Sequence, residues 1–178
     1  MKDIYFTRHG QTYWNVENKI CGSTDIGLTE LGINQAKELG DKIRNGGYNI
    51  DEIICSPLIR AYDTAKYISN ATGIKLKVDE RLTEQNFGKY EGTARNGAEF
   101  RLSKESFADS YNGGESMLKL AQRIYNLLDE LKNDDKTYLL VAHNGIARVL
   151  KSYFYDMSNE EYASFGIKNC EIIKYTFR

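Results

Sequence analysis

The sequence predicts an α/β fold: a three-layer α/β/α sandwich around a mainly parallel sheet, built as one domain over residues 1–178 with a short lid at about 93–112. Three observations predict it. Short apolar runs of β type (residues 2–7, 51–55 and 137–142) alternate with stretches of helical periodicity. Each of those runs ends in polar or glycine-bearing residues, which in open α/β sheets mark the ligand-binding edge. Finally, 178 residues at 41% hydrophobic and 28% charged content suit one packed core. No repeat, low-complexity tract or linker interrupts them.

Residues 2–7 read as the first strand. Residues 28–44 read as a helix with Gly32, Ala36, Leu39, Gly40 and Ile43 on one face, the two glycines allowing close approach to the sheet. Residues 51–55 form the second strand. Ser56 is placed as the N-cap of the next helix and Pro57, the only proline, as its first residue; this helix runs to about Asn70. Residues 74–78 form a short strand. The glycine-rich stretch 82–114 reads as loops with one short helix. Residues 115–131 carry the helical stripe Met117, Ala121, Ile124, Leu128 and Leu131. Residues 137–142 form a core strand, 145–154 a helix and 172–177 an edge strand.

Composition narrows the function. Lys plus Arg (24) nearly cancels Asp plus Glu (25), so no basic field draws nucleic acid or anionic lipid. The longest apolar run, Tyr138–Ala142, is far below the roughly 20 residues of a membrane-spanning helix. No signal-peptide pattern opens the chain. Cys21, Cys55 and Cys170, odd in number and without a CxxC pair, suit reduced thiols in a cytoplasmic protein.

Three strand ends carry polar residues that core packing does not require: Arg8-His9-Gly10, Ser56-Pro57-Leu58-Ile59-Arg60 and His143-Asn144-Gly145. On a parallel sheet these converge at one edge. Two arginines, the only two histidines and helix N-terminal amides then make a site for a dianionic phosphate.

These residues also carry a family resemblance. Arg8-His9-Gly10-Gln11-Thr12 with Trp14-Asn15 resembles the signature of the histidine phosphatase superfamily, in its phosphoglycerate mutase-like branch. Further blocks match in order: Asn18 to Gly22, Leu28-Thr29-Glu30-Leu31-Gly32, Ser56-Pro57-Leu58 with Arg60-Ala61, Glu84 with Phe87-Gly88 and Glu91-Gly92, Gly113-Gly114-Glu115-Ser116, and Val141-Ala142-His143 with Arg148. The resemblance implies that His9 is the nucleophile, forming a phosphohistidine, with Arg8, Arg60 and His143 around the phosphoryl oxygens. It implies Glu84 as general acid and base, with Glu91 the rival. Asn15, Gly22 and Asn144 follow as phosphate or substrate contacts, by side chain or backbone amide. Trp14 reads as a packing anchor. The implied chemistry uses no metal and no cofactor, and no metal motif such as HExxH is present. The chain departs from the family pattern at Asn144, Asp63 and Cys21.

The segment 93–112 is short, and its Arg95, Arg101 and Lys104 are balanced by Glu99, Glu105 and Asp109. That mixed charge favours hydrolysis of a small phosphomonoester over a phosphomutase. A non-catalytic phospho-ligand module is the third reading, disfavoured because binding alone does not require Glu84. Phe100, Phe107 and Tyr111 are expected to pack this segment onto the body rather than line an apolar mouth. Oligomeric state is not legible.

Overall fold

The computed structural model describes residues 2–178. Its five-stranded sheet has the order β3-β2-β4-β1-β5, with β1 Lys2–Arg8, β2 Glu52–Cys55, β3 Lys75–Val78, β4 Tyr138–Ala142 and β5 Ile172–Phe177. The first four run parallel; β5 pairs antiparallel with β1 at the edge. The middle strand β4 is buried at every residue, as a strand covered on both faces must be. Helices α2 (Glu30–Asn45) and α3 (Ile59–Thr72) cover one face, packing Leu39, Ile43 and Ile68 on Ile53, Leu139 and Val141. Helices α5 (Met117–Lys132) and α6 (Asn144–Phe154) cover the other, packing Ile124, Leu128 and Ile146 on Ile4, Phe6 and Leu140.

Local chemistry sets the helix ends. Thr29 Oγ1 accepts the Gly32 N–H at 3.1 Å, Glu30 occupies the first turn of α2, and Lys42 and Arg44 occupy its last. Gly73 closes α3 with φ of 76°, a left-handed cap open to glycine at no steric cost. Two short helices escaped the sequence reading, α1 (Tyr13–Val16) and α7 (Asn159–Ser164). Both are closed by capping boxes, Thr12 with Asn15 and Ser158 with Glu161, and both are too short to show a helical period. The stretch 82–114 holds one 3₁₀ turn, Gly88–Tyr90, and the single short α-helix α4 (Ala98–Ser103), and a second 3₁₀ turn, Glu80–Leu82, leads into it.

Three expectations need correction. Helix α3 starts at Ile59, so Ser56 is not its cap and Pro57 is not its first residue. Ser56 Oγ instead accepts the Leu58 N–H at 3.2 Å, and Asp25 Oδ1 takes the Ile59 N–H at 2.7 Å. The α2 glycines do not face the sheet. A Cβ on Gly32 would lie 2.1 Å from the Gln11 carbonyl oxygen, and one on Gly40 would lie 2.8 Å from the Ala71 Cβ. They admit the loop after β1 and helix α3 respectively. The buried stripe of α5 includes Leu120 and Leu127, whereas Ala121 sits at its margin.

Candidate active site

The parallel register brings three strand ends to one level. Arg8 pairs with Ala142, and Val141 pairs with both Thr7 and Cys55. The chain just beyond is tied down by backbone bonds, His9 N–H to the Ala142 carbonyl (3.0 Å) and Ser56 N–H to the Val141 carbonyl (3.1 Å). His9, Ser56 and His143 therefore leave the sheet side by side, and the two imidazole centroids lie 5.2 Å apart. This is the carboxyl-end crevice that the fold offers to ligands.

His9 Nδ1 lies 2.7 Å from the Gly10 carbonyl oxygen. A carbonyl only accepts, so Nδ1 carries the proton and Nε2 keeps its lone pair. Burial, then Arg60 and Arg8, push the ring well below the usual histidine range. His143 is pushed the same way by burial, then by Arg60, His9 and Arg8. Both rings are therefore neutral at pH 7.

A pH dependence of stability follows. In the unfolded chain both histidines titrate near about 6.5, so below that pH the unfolded chain binds more protons than the fold. Their contribution is complete above about pH 6.5 and is lost as pH falls toward the folded values, at up to ~1.4 kcal/mol per pH unit for each ring. Urea midpoints measured between pH 7 and 5.5 should decline, and His9→Asn should remove about half of the slope. A flat profile would contradict the buried neutral state.

The arginines are held from behind. Arg60 is only 1% exposed, with Nη1 donating to the Thr24 carbonyl (2.8 Å) and Nη2 to the Gly22 carbonyl (2.6 Å). Arg8 Nη1 donates to the Ile167 carbonyl at 2.9 Å, and burial with neighbouring Arg95 lowers its pKa to about 10, still cationic at pH 7. Three buried nitrogens find no partner among the described residues: Arg8 Nε, Arg60 Nε and His143 Nδ1.

Two glutamates stand near, with different surroundings. Glu84 is 5% exposed and lines the pocket beside His9. Its oxygens accept the Gln85 N–H and, at the start of α6, the Gly145 N–H, both at 2.9 Å. A Cβ at residue 145 would sit 2.4 Å from Glu84 Oε1, which explains the glycine after His143-Asn144. Glu91 is saturated: it accepts the N–H groups of Gly22, Ser23, Thr24 and Phe87 and the Thr24 hydroxyl. It fixes the loop whose carbonyls hold Arg60. The Gly22 N–H, expected as a phosphate donor, is thus spent on Glu91, and Gly22 serves Arg60 through its carbonyl.

The pocket, about 510 Å³ counting its open mouth, is lined by Arg8, His9, Asn15, Glu84 and Asn144 among others. Arg60 and His143 are buried and not part of the lining, although the His143 ring stands next to His9. Asn15 Oδ1 accepts the Thr12 N–H (3.1 Å) and Asn144 Oδ1 the Ile167 N–H (2.9 Å), leaving each amide nitrogen available to donate. Cys21 is on the wall, whereas Asp63 is not part of it. Trp14 packs against Gly92, away from the lining.

The even charge of segment 93–112 is misleading in space. Arg95 and Lys104 face the pocket together with Arg148 from α6. Burial, then Arg148, Arg95 and Arg101, lower Lys104 to about 8. Glu99 instead pairs outside with Lys89, and Asp109 caps the Tyr111 N–H at 3.0 Å. Tyr111 packs with Ile20, Phe87, Tyr90 and Phe100, and Phe107 packs edge-on to Tyr162; Phe100 also reaches the pocket wall.

The sequence reading missed the strap from Phe165 to Cys170. Its carbonyls at Phe165 and Ile167 accept Arg148 Nε (2.7 Å) and Arg8 Nη1 (2.9 Å). Asn169 Nδ2 donates to the His9 carbonyl at 2.8 Å, and the Cys170 N–H donates to the Arg8 carbonyl at 2.9 Å. Cys170 has φ of 56°, one of four non-glycine residues in that region among those described, alongside Asn18, Tyr111 and Asn112. Most of these contacts use backbone atoms, which leave no side-chain pattern to read.

Comparison with known proteins agrees with this architecture. Residues 4–178 match the family described as the histidine phosphatase superfamily (branch 1). The chain belongs to that superfamily. It is 32% identical to "Probable phosphoglycerate mutase GpmB" of Yersinia pestis, over 100% of this chain and 86% of that protein. Among solved structures it is similar to a phosphoserine phosphatase from Entamoeba histolytica in complex with 3-phosphoglyceric acid (31% identity, TM-score 0.84, covering 99% and 91% of the two chains). It is also similar to a mycobacterial glucosyl-3-phosphoglycerate phosphatase complexed with VO3 (28% identity, TM-score 0.83, 98% and 90%). The named relatives in this superfamily are phosphatases and a mutase.

Proposed function

We propose that this protein is a phosphomonoester hydrolase that acts on a small phosphorylated metabolite through a phosphohistidine on His9. One observation carries the reading. A neutral imidazole with its Nε2 lone pair free adjoins buried nitrogens of Arg8, Arg60 and His143 that have no partner among the described residues. Buried polar groups are normally paired, and the oxygens of a phosphoryl group on His9 supply the missing acceptors.

In the first half-reaction His9 Nε2 attacks phosphorus, the P–O ester bond breaks, and Glu84 gives its proton to the departing alkoxide. In the second, Glu84 takes a proton from water, the water oxygen attacks phosphorus, and the P–N bond breaks to release inorganic phosphate. Arg8 and Arg60 stabilise charge on the equatorial oxygens in both steps. The Asn15 and Asn144 side-chain amides add neutral donors. No step calls on a metal, so EDTA should leave the rate unchanged.

Arg95, Lys104 and Arg148 exceed what one phosphate requires, so the substrate carries a second anionic group. The names of the two similar phosphatases, with a phosphoserine and a glucosylated phosphoglycerate as stated substrates, support a carboxylate. The same cations, with the mutase name of the 32% relative, favour phosphoglycerate mutase activity as the second reading. A substrate panel decides. Phosphate release from phosphoserine or 3-phosphoglycerate should exceed that from glycerol phosphate by at least ~10-fold in kcat/KM, the worth of one charge-assisted contact. Interconversion of phosphoglycerates outpacing phosphate release would select the mutase instead.

A further inference from the structure

Ser56 is fully buried, and its hydroxyl oxygen lies 2.8 Å from His143 Nε2. The same oxygen accepts the Leu58 N–H at 3.2 Å. We propose that Ser56 is a positioning residue: its O–H donates to His143 Nε2 and so fixes His143 in the form that carries its proton on Nδ1. The proposal rests on the phosphohistidine reading for its purpose but not for its test.

The two possible forms of neutral His143 differ in what they leave unpaired. With the proton on Nε2, the ring donates to Ser56, whose own proton is then buried without an acceptor, and the bare Nδ1 is also unpaired. With the proton on Nδ1, the Ser56 O–H is satisfied by Nε2, and Nδ1–H alone has no partner among the described residues. An unpaired buried donor or acceptor is costly, so the second form is preferred. It is also the useful one. His143 stands beside His9, with ring centroids 5.2 Å apart. A phosphoryl oxygen on His9 can accept from Nδ1–H, whereas a bare Nδ1 lone pair would repel it. The nucleophile and its neighbour then share one protonation pattern set by different partners: the Gly10 carbonyl holds His9, and the Ser56 hydroxyl holds His143.

Because the chain contains only two histidines, the test is direct. Protein labelled with ¹⁵N-histidine gives two ring systems in a long-range ¹H–¹⁵N correlation spectrum, and His9→Asn assigns them. Both rings should show a protonated Nδ1 and a bare Nε2 at pH 7. Ser56→Ala should move His143 to the Nε2-protonated form or to a mixture, leave the His9 pattern intact, and lower kcat roughly 10-fold with little change in KM. Ser56→Thr, which keeps the hydroxyl, should restore the His143 pattern. A wild-type His143 protonated on Nε2, or a Ser56→Ala spectrum unchanged at His143, overturns the proposal. Since the spectrum is read without turnover, a failed phosphatase assay leaves this result standing, and the reverse also holds.

Discussion

Replacing His9 with alanine should lower kcat on a generic aryl phosphate by at least about 10,000-fold, the scale seen when a covalent nucleophile is removed. The loss should fall on kcat, because the groups assigned to phosphate remain. Arg60 keeps its hold on the Gly22 and Thr24 carbonyls, and Arg8 keeps Ile167. Inorganic phosphate or vanadate should therefore still bind the variant, measurable by calorimetry. The variant loses only one short-range bond, Nδ1–H to the Gly10 carbonyl, so circular dichroism should show an unchanged fold. Rapid quench of the wild type should trap a phosphoenzyme that is labile in acid and stable in base, and His9→Ala should show none. Unaltered turnover in the variant would end the assignment of His9. A wild type that binds phosphate yet never forms the phosphoenzyme would instead favour the non-catalytic phospho-ligand reading.

How far the site was legible in the sequence depends on which atoms do the work. Arg8, His9 and His143 were legible because apolar strands ended on them, and a core strand has no packing reason to end on arginine or histidine. Arg60 was legible as a motif position but not as a buried residue. Its partners are the Gly22 and Thr24 carbonyls, presented by a loop that Glu91 holds from the other side. Glu91 looked like a rival acid because residue type alone does not reveal five donors converging on one carboxylate. The strap from Phe165 to Cys170 was invisible for the same reason, since it works mainly through main-chain atoms. Charge counting failed differently. Segment 93–112 is balanced in composition, yet its helix and turns send Arg95 and Lys104 inward and Glu99 outward, a sorting that no tally contains. At the level of fold, the strands and the long helices were readable from periodicity, whereas strand order was not, and α1 and α7 were too short to have a period.

Replacing Glu84 with glutamine should separate the two halves of the reaction. An alkyl phosphate needs a proton on its departing oxygen, so kcat/KM on such a substrate should fall about 100- to 10,000-fold, the range for a positioned general acid. The p-nitrophenolate ion leaves without a proton, so kcat/KM on p-nitrophenyl phosphate, which reports only the phosphorylation step, should fall less than about 10-fold. Its kcat should still collapse, because the attacking water has lost its base. The variant should then release one equivalent of nitrophenol in a burst and stall as the phosphoenzyme. Stability must be measured alongside. Glu84 accepts two backbone N–H groups, from Gln85 and Gly145, and a glutamine amide can accept through only one of its two terminal atoms. One buried donor is left facing an NH₂, at a cost of about 1–3 kcal/mol, so rates should be compared well below the midpoint of unfolding. Glu91→Gln is the control: all five of its contacts are donors from the protein, so whatever it costs in stability, its losses should not depend on the leaving group. Equal losses on alkyl and aryl substrates for Glu84→Gln would remove it as the acid. Absence of a burst would remove it as the base, since a phosphoenzyme whose hydrolysis is blocked has to accumulate.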